Sequence, residues 1–277
     1  MPCLRDLLDT GERTLSGAEA RREAALLLQH MLNVSVAWLV AHANDSVDVI
    51  QIEAYRALIE RRARGEPIAY LTGTRGFHAL ELAVTPDVLI PRPETELLVD
   101  LALQRIPLDA NCAVADLGTG SGAIALAIAK ARPHTRVLAT DAGAAPLDVA
   151  RGNAQRLGLG NVEFAQGDWC AALGDKRFDL IVSNPPYIAE GDPHLREGDL
   201  RFEPRAALVS GADGLDAIRI IVRDARAHLR AGGWLLFEHG FGQGAAARAL
   251  LEGHGYREVF TARDLERRER ASGGRCG

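Results

Sequence analysis

The chain has 277 residues, 47% hydrophobic and 25% charged, with a formal net charge of -5. That length builds one large domain or two smaller ones around a substantial core, while the acidic balance counts against sequence-independent nucleic-acid binding, which needs clustered Lys and Arg. No apolar run is long enough to span a bilayer, and the N-terminal MPCLRDLLDTGERT carries acids where a secretory signal would carry an apolar run. The expectation is a cytoplasmic chain. Its four cysteines, Cys3, Cys112, Cys170 and Cys276, are scattered without a C-x-x-C pair or a histidine at ligand spacing, so neither a disulfide framework nor a metal site is expected.

Residues 1–75 read as a small helical domain. AEARREAALLLQHML puts Ala20, Ala24, Leu27, Leu28 and Met31 on one face, and IQIEAYRALIERRARGEP repeats the period with Ile52, Tyr55, Leu58 and Ile59 before a Gly-Glu-Pro stop. After Pro67 the period changes. Phe77, Leu80, Leu82 and Val84 alternate, Thr85-Pro86-Asp87 reads as a turn, and Val88 to Ile90 as its return strand, so residues 76–92 are expected to form a β-hairpin linker. PRPETELLVDLAL then opens a helix, with Glu94 or Thr95 near its cap.

From residue 112 onward strand and helix patterns alternate: CAVADLG, SGAIALAIAKAR, RVLATD, APLDVARGNAQRLG, VEFAQGD, FDLIVSNPP, LDAIRIIVRDARAHLR, GGWLLFEHG, GAAARALLEGHG and REVFTA. This order, with near-continuous apolar strands, predicts a doubly wound, mostly parallel α/β sheet over residues 93–277. Such sheets bind ligands at the carboxyl ends of their strands. The terminal RRERASGGRCG reads as a loose polar tail.

Four of those strand ends carry ligand-type residues. DLGTGSG supplies Gly118, Thr119, Gly120, Ser121 and Gly122, a tight turn that lets a ligand approach the backbone, although a structural βα turn has the same composition. Its G-x-G-x-G spacing is neither the dinucleotide fingerprint nor a P-loop. Asp141 ends the second strand, where a carboxylate suits a ribose diol. Asp168 and Trp169 end the third, an acceptor for an adenine amino group and a flat face for its ring; a half-buried core aromatic would look the same. Together they specify an adenosine without phosphates, as in S-adenosyl-L-methionine. The fourth strand runs into Asn184-Pro185-Pro186-Tyr187, a stiff corner that presents acceptors and few N–H groups.

DLGTGSG, Thr140-Asp141, Gly167-Asp168-Trp169 and Asn184-Pro185-Pro186-Tyr187 together resemble the motif series of class I methyltransferases acting on planar nitrogens. GEPIAYLTG (65–73), LIPRPETE (89–96) and GDPHLREGDLRFEPRAAL (191–208) narrow the likeness: over residues 20 to 264 the chain resembles the HemK/PrmC family, methyltransferases of the glutamine in class 1 peptide-chain release factors. The resemblance implies a Rossmann-like methyltransferase fold with a helical N-terminal domain that docks the release factor. It implies S-adenosyl-L-methionine as cofactor, with S-adenosyl-L-homocysteine as product, and methyl transfer to the side-chain amide nitrogen (N5) of the glutamine in a Gly-Gly-Gln loop. It carries cofactor contact to Gly118–Gly122, Asp141, Trp169 and Asn184, beside the Asp168 read above. The glutamine falls to Asn184, Pro185, Pro186 and Tyr187, with Asn184, Pro185 and Tyr187 the catalytic set.

The chemistry makes sense of the corner. An amide nitrogen is a poor nucleophile, and acceptors on both its N–H groups orient it and favour a pyramidal form. The Asn184 oxygen and the Pro185 carbonyl suit this, with Tyr187 available to stack on the amide. No strong base is required, so His239 of FEHG reads as structural. Arg92 and Glu94 either order the mouth of the pocket or cap the helix that follows. A ribosomal-protein glutamine methyltransferase is the alternative within the chemistry, and a nucleic-acid N6-adenine methyltransferase the alternative beyond it; the acidic stretch EGDPHLREGDL counts against the latter. A monomer is expected. One departure from the family pattern stands out: Arg263 and Asp264 match, but the closing apolar strand of the sheet looks weakened or missing.

Overall fold

Leucine and alanine at helical spacing build the first part of the chain. The computed structural model, which describes residues 2–277, has five helices there: α1 (Leu4–Leu15), α2 (Ala20–Leu32), α3 (Val36–Ala41), α4 (Val49–Ala63) and α5 (Ile68–Thr72). Side chains cap the starts of α3 and α4. Ser35 accepts from Trp38 N–H at 3.2 Å, and Asp48 forms a reciprocal box with Gln51. Ala24, Leu27, Leu28, Tyr55 and Ile59 are buried in a core of their own. This unit comprises Met1–Thr74 and, from far along the chain, His194–Phe202. The returning segment is held by Arg62, which pairs with Glu23 at 2.7 Å and with Asp199 at 3.1 Å.

The hairpin lies earlier than the sequence pattern suggests. Strands β1 (Thr74–Phe77) and β2 (Leu80–Ala83) meet across His78 and Ala79, both at positive φ (44° and 59°), the mirror-image turn that matches strand twist. The Thr85-Pro86-Asp87 turn does form, with Val88 N–H on Thr85 O at 3.1 Å, but residues 88–90 after it are not a strand; Ile90 N–H donates to the Glu203 side chain at 3.3 Å.

The second unit, Arg75–Pro193 and Glu203–Gly277, holds a seven-stranded sheet in the order β5-β4-β3-β6-β7-β9-β8. Its strands are β3 (Ala113–Leu117), β4 (Arg136–Asp141), β5 (Val162–Gln166), β6 (Phe178–Ser183), β7 (Leu229–Glu238), β8 (Arg257–Arg263) and β9 (Glu269–Arg275). The first five pair in parallel. Helices α6 (Glu96–Leu103), α7 (Ala123–Ala131) and α8 (Ala144–Leu157) belong to one side, and α9 (Asp216–His228) and α10 (Gly244–Gly253) to the other. Leu98, Val99 and Leu126 pack with Val114, Val182 and Leu236 in one layer; Ile218, Ile221 and Leu251 pack with Leu117, Ile181 and Phe237 in the second. This is the mostly parallel α/β sheet expected, and among the described residues no helix is long and apolar enough to cross a membrane.

The C-terminus corrects the sequence reading. The segment expected to be a loose tail, with the closing strand weakened or missing, is β9. It inserts between β7 and β8 and runs antiparallel to both. Its weak pattern has a steric cause. Gly273 pairs with Leu236, and a Cβ there would stand 2.5 Å from a Leu236 methyl, 2.8 Å from Leu235 O and 2.9 Å from the Phe260 ring. Ala271, Ser272, Gly273 and Gly274 are all buried, so the neighbours supply the apolar volume and the strand supplies backbone hydrogen bonds. Gly273→Ala is therefore expected to destabilise the fold by roughly 1–3 kcal/mol through overpacking, read as a lower urea midpoint at constant slope; an unchanged midpoint would contradict this packing.

Candidate active site

Register brings the candidate residues together. Leu117, last in β3, pairs with Thr140 of β4 and with Ser183 of β6, and Ser183 pairs in turn with Phe237 of β7. The next residues, Gly118, Asp141, Asn184 and Glu238, therefore come to one rim. Strand order reverses at β3, whose neighbours are β4 and β6, and at such a reversal the connections diverge and leave a crevice. A cleft of about 260 Å³ lies there.

The glycine loop forms its floor. Gly118, Gly120 and Gly122 all have positive φ (71°, 55° and 85°), a conformation side chains resist. They do different work. A Cβ on Gly118 would stand 3.3 Å from the Trp169 ring, whereas one on Gly120 would meet nothing within 4 Å, so the backbone at Gly120 is open to a ligand. Gly122 is not part of the lining: its missing Cβ makes room for Leu126 and Ala150. Thr119 donates to Asp116, whose Oδ2 also accepts Ala125 N–H, while Asp116 Oδ1 is buried without a partner. Loss of water drives this carboxyl up to about 7, against the pull of those two hydrogen bonds.

Asp141 anchors the loop. Its two oxygens accept the N–H groups of Gly120 and Gly143, each at 3.0 Å, and each keeps a further lone pair. Asp168, Trp169, Asn184 and Pro186 also line the cleft, with Thr119 and Ser121. Trp169 is half-buried and takes a positive φ of 43°. An open glycine backbone, a carboxylate and a flat indole fit an adenosine carrying a positively charged group, which S-adenosylmethionine is.

The corner behaves less uniformly. Asn184 faces the cleft, but Pro185 and Tyr187 are not among its lining residues. The Tyr187 hydroxyl donates to Glu238 at 3.0 Å and its carbonyl accepts from Gln243 at 3.0 Å; burial beside Glu238 pushes the phenol far up. Asn184 donates through Nδ2 to Thr95 at 3.1 Å, and Thr95 donates to the second Glu238 oxygen at 2.6 Å. Glu238 is fully buried and its carboxyl rises to about 7, chiefly from desolvation.

Sequence reasoning missed Glu238, although a lone carboxylate closing the apolar run Trp234–Phe237 beside the corner strand was a usable signal. Thr95, expected near a cap, makes no capping bond and belongs to the corner instead. The Arg92 guanidinium donates to buried Glu203, not to the following helix, and lines the cleft. His239 contacts Gly240 O and Ser272 Oγ, each at 2.9 Å, and burial lowers its pKa, consistent with a structural imidazole.

Known proteins resemble both parts of the chain. The PrmC N-terminal domain model matches residues 6–73 and the Methyltransferase small domain model residues 94–197. The release factor glutamine methyltransferase of Xylella fastidiosa (strain Temecula1) is 56% identical over 256 residues, covering 92% of this chain and 93% of the relative. The protein of the same name from Escherichia coli (strain K12) is 46% identical over 255 residues, 92% of each chain. Among solved structures, a methyltransferase from Pyrococcus furiosus superposes with a TM-score of 0.55 at 19% identity, over 79% of this chain and 97% of that one, a likeness of fold. With such identity along nearly its whole length, the chain belongs to the release factor glutamine methyltransferase family.

Proposed function

We propose that this chain transfers a methyl group from S-adenosyl-L-methionine to the N5 amide nitrogen of the glutamine in the Gly-Gly-Gln motif of class 1 release factors. Family membership supports the reaction. The observation that carries it to particular residues is that Asn184 stands on the wall of the cleft that Gly118, Asp141 and Trp169 also line.

Bound S-adenosylmethionine supplies a methyl group activated by its sulfonium. Gly118, Thr119, Gly120 and Ser121 bring backbone close to it; Asp141 takes the ribose hydroxyls, and Asp168 and Trp169 the adenine. Gly122 serves this site through packing. With its amide nitrogen spent on Thr95, Asn184 has its oxygen left for the substrate. That oxygen and the Pro185 carbonyl accept the two N–H groups of the glutamine amide, orient its nitrogen and favour the pyramidal form. Pro185 and Pro186 supply no competing donor. Holding reacting atoms at roughly 3–3.5 Å provides much of the acceleration. The nitrogen sheds its proton once bonded to carbon, so water suffices as acceptor. Tyr187, tied to Glu238 and Gln243, braces the corner in this reading and does not stack on the substrate.

The helical unit, residues 1–75, is the docking element in the same reading. Val36 and Val40, one turn apart on α3, are 59% and 74% exposed, and Val49 and Ile50 at the start of α4 are 64% and 79% exposed, apolar side chains available for a partner to cover. The enzyme acts as a cytoplasmic monomer on protein and not on nucleic acid; its net charge of -5 suits that choice.

The test is transfer of labelled methyl to a purified class 1 release factor. Label is expected on wild-type factor and absent when the loop glutamine is replaced, and Asn184→Ala is expected to lower transfer on the order of 10²-fold or more; label on DNA or a ribosomal protein instead would overturn the substrate. Asp141→Ala is expected to weaken cofactor binding about 10- to 100-fold, the worth of lost hydrogen bonds to a charged group, by calorimetry. Val40→Asp with Ile50→Asp is expected to raise KM for the release factor and leave cofactor affinity alone; an unchanged KM would place docking elsewhere.

A further inference from the structure

Asn184 can serve as an acceptor in only one of its two amide orientations. Turned over, it would present an NH₂ group to the NH₂ group of the substrate glutamine. Oxygen and nitrogen of a carboxamide have nearly the same shape, so packing alone does not choose between them. The choice lies with Thr95. Its hydroxyl has one proton, and a proton donated to Glu238 leaves only lone pairs facing Asn184, which must then offer Nδ2. Were the Thr95 proton free to turn, it would satisfy Asn184 Oδ1 equally well and the amide would reverse.

We infer that Thr95 and Glu238 are positioning residues of the reaction: the buried Glu238 carboxylate draws the Thr95 proton, and Thr95 in turn fixes the Asn184 amide with its oxygen toward the cleft. This rests on Asn184 acting as the glutamine acceptor. Glu238 is suited to the part. Its two oxygens are each engaged by one hydroxyl, Thr95 at 2.6 Å and Tyr187 at 3.0 Å, so an ionised carboxylate polarises both donors in one direction. A protonated carboxyl has a hydrogen of its own to give to Thr95, and the relay loses its sense.

The charges around Glu238 decide when that happens. Arg270 of β9, itself paired with Asp264 at 3.1 Å, favours the carboxylate; Glu94 of the turn before α6 opposes it; His239, next in the chain, is held toward its neutral form by burial. Arg92 adds a distant positive charge to Tyr187. Desolvation outweighs the rest, and the group titrates near 7. Since the carboxylate is the working form, kcat falls as pH drops through that value.

Four variants read by kcat and KM across pH, with thermal melting to show that each is folded, test the relay. Thr95→Val is expected to lower kcat on the order of 10²-fold with both KM values within about twofold, and Thr95→Ser, which restores the hydroxyl, to recover most of it. Glu238→Gln keeps the shape and one acceptor oxygen but cannot ionise, so it is expected to lose the fall in kcat below pH about 7. Asp116, the other buried carboxyl at the rim, is intact in that variant. Persistence of the acid limb would therefore overturn the inference, as would wild-type kcat in Thr95→Val. If Thr95→Val does not fold, the Glu238→Gln profile decides alone. Asn184→Ala separates the two levels: loss of transfer there with unaltered Thr95 and Glu238 variants rejects only the relay, whereas full activity of Asn184→Ala rejects the reading of Asn184 and the relay with it.

Discussion

The hydrogen-bond register across β4, β3, β6 and β7 is the constraint on which the site depends. A parallel ladder fixes which residues come level, and here Thr140, Leu117, Ser183 and Phe237 are paired in succession. Each is followed by a residue with chemistry: Asp141, Gly118, Asn184, Glu238. A slip of one residue in any strand would turn that strand's side chains to the other face of the sheet. The apolar layers on both faces make such a slip costly. Packing far from the cleft thus sets the geometry within it.

The rim concentrates polar groups in a place that penalises them. Asp116 and Glu238 are both fully buried and both driven up to about 7 by desolvation. Burying a carboxylate costs several kcal/mol unless hydrogen bonds offset the lost water, and each of these has such bonds. Asp116 binds the loop through Thr119 and the start of α7 through Ala125; Glu238 binds the corner through Thr95 and Tyr187. One carboxyl stiffens the side of the cleft assigned to cofactor and the other the side assigned to substrate. Hydrogen bonds are stronger in a low-dielectric interior, and the Glu238 network, with both carboxyl oxygens engaged, is rigid for that reason, which suits a site that must hold an amide in one orientation.

Much of this was legible in the sequence. Near-continuous apolar runs ending in DLGTGSG, TD, GDW and NPPY gave strands and rim residues together, because a buried parallel strand exposes chemistry only at its end. Other features resisted reading for physical reasons. The strand β9 is built of Ala271, Ser272, Gly273 and Gly274, whose apolar volume comes from Leu236 and Phe260. His78 and Ala79 lack the usual residues of a tight turn, so Thr85-Pro86-Asp87 looked the better candidate. The partners that explain Thr95 and Arg62 lie 143 and 137 positions away, and no local pattern reports them. Tyr187 was legible as part of the corner, but not that its hydroxyl turns inward to Glu238.

The position of the substrate glutamine amide decides the roles of Asn184 and Pro185. The decisive measurement is a crystal structure of this protein with S-adenosyl-L-homocysteine and a release factor, or its Gly-Gly-Gln loop peptide. The account predicts the amide nitrogen within hydrogen-bond reach of Asn184 Oδ1 and the Pro185 carbonyl, with Asn184 Nδ2 still on Thr95. A glutamine held away from Asn184, or met by the Asn184 amide reversed, would contradict it.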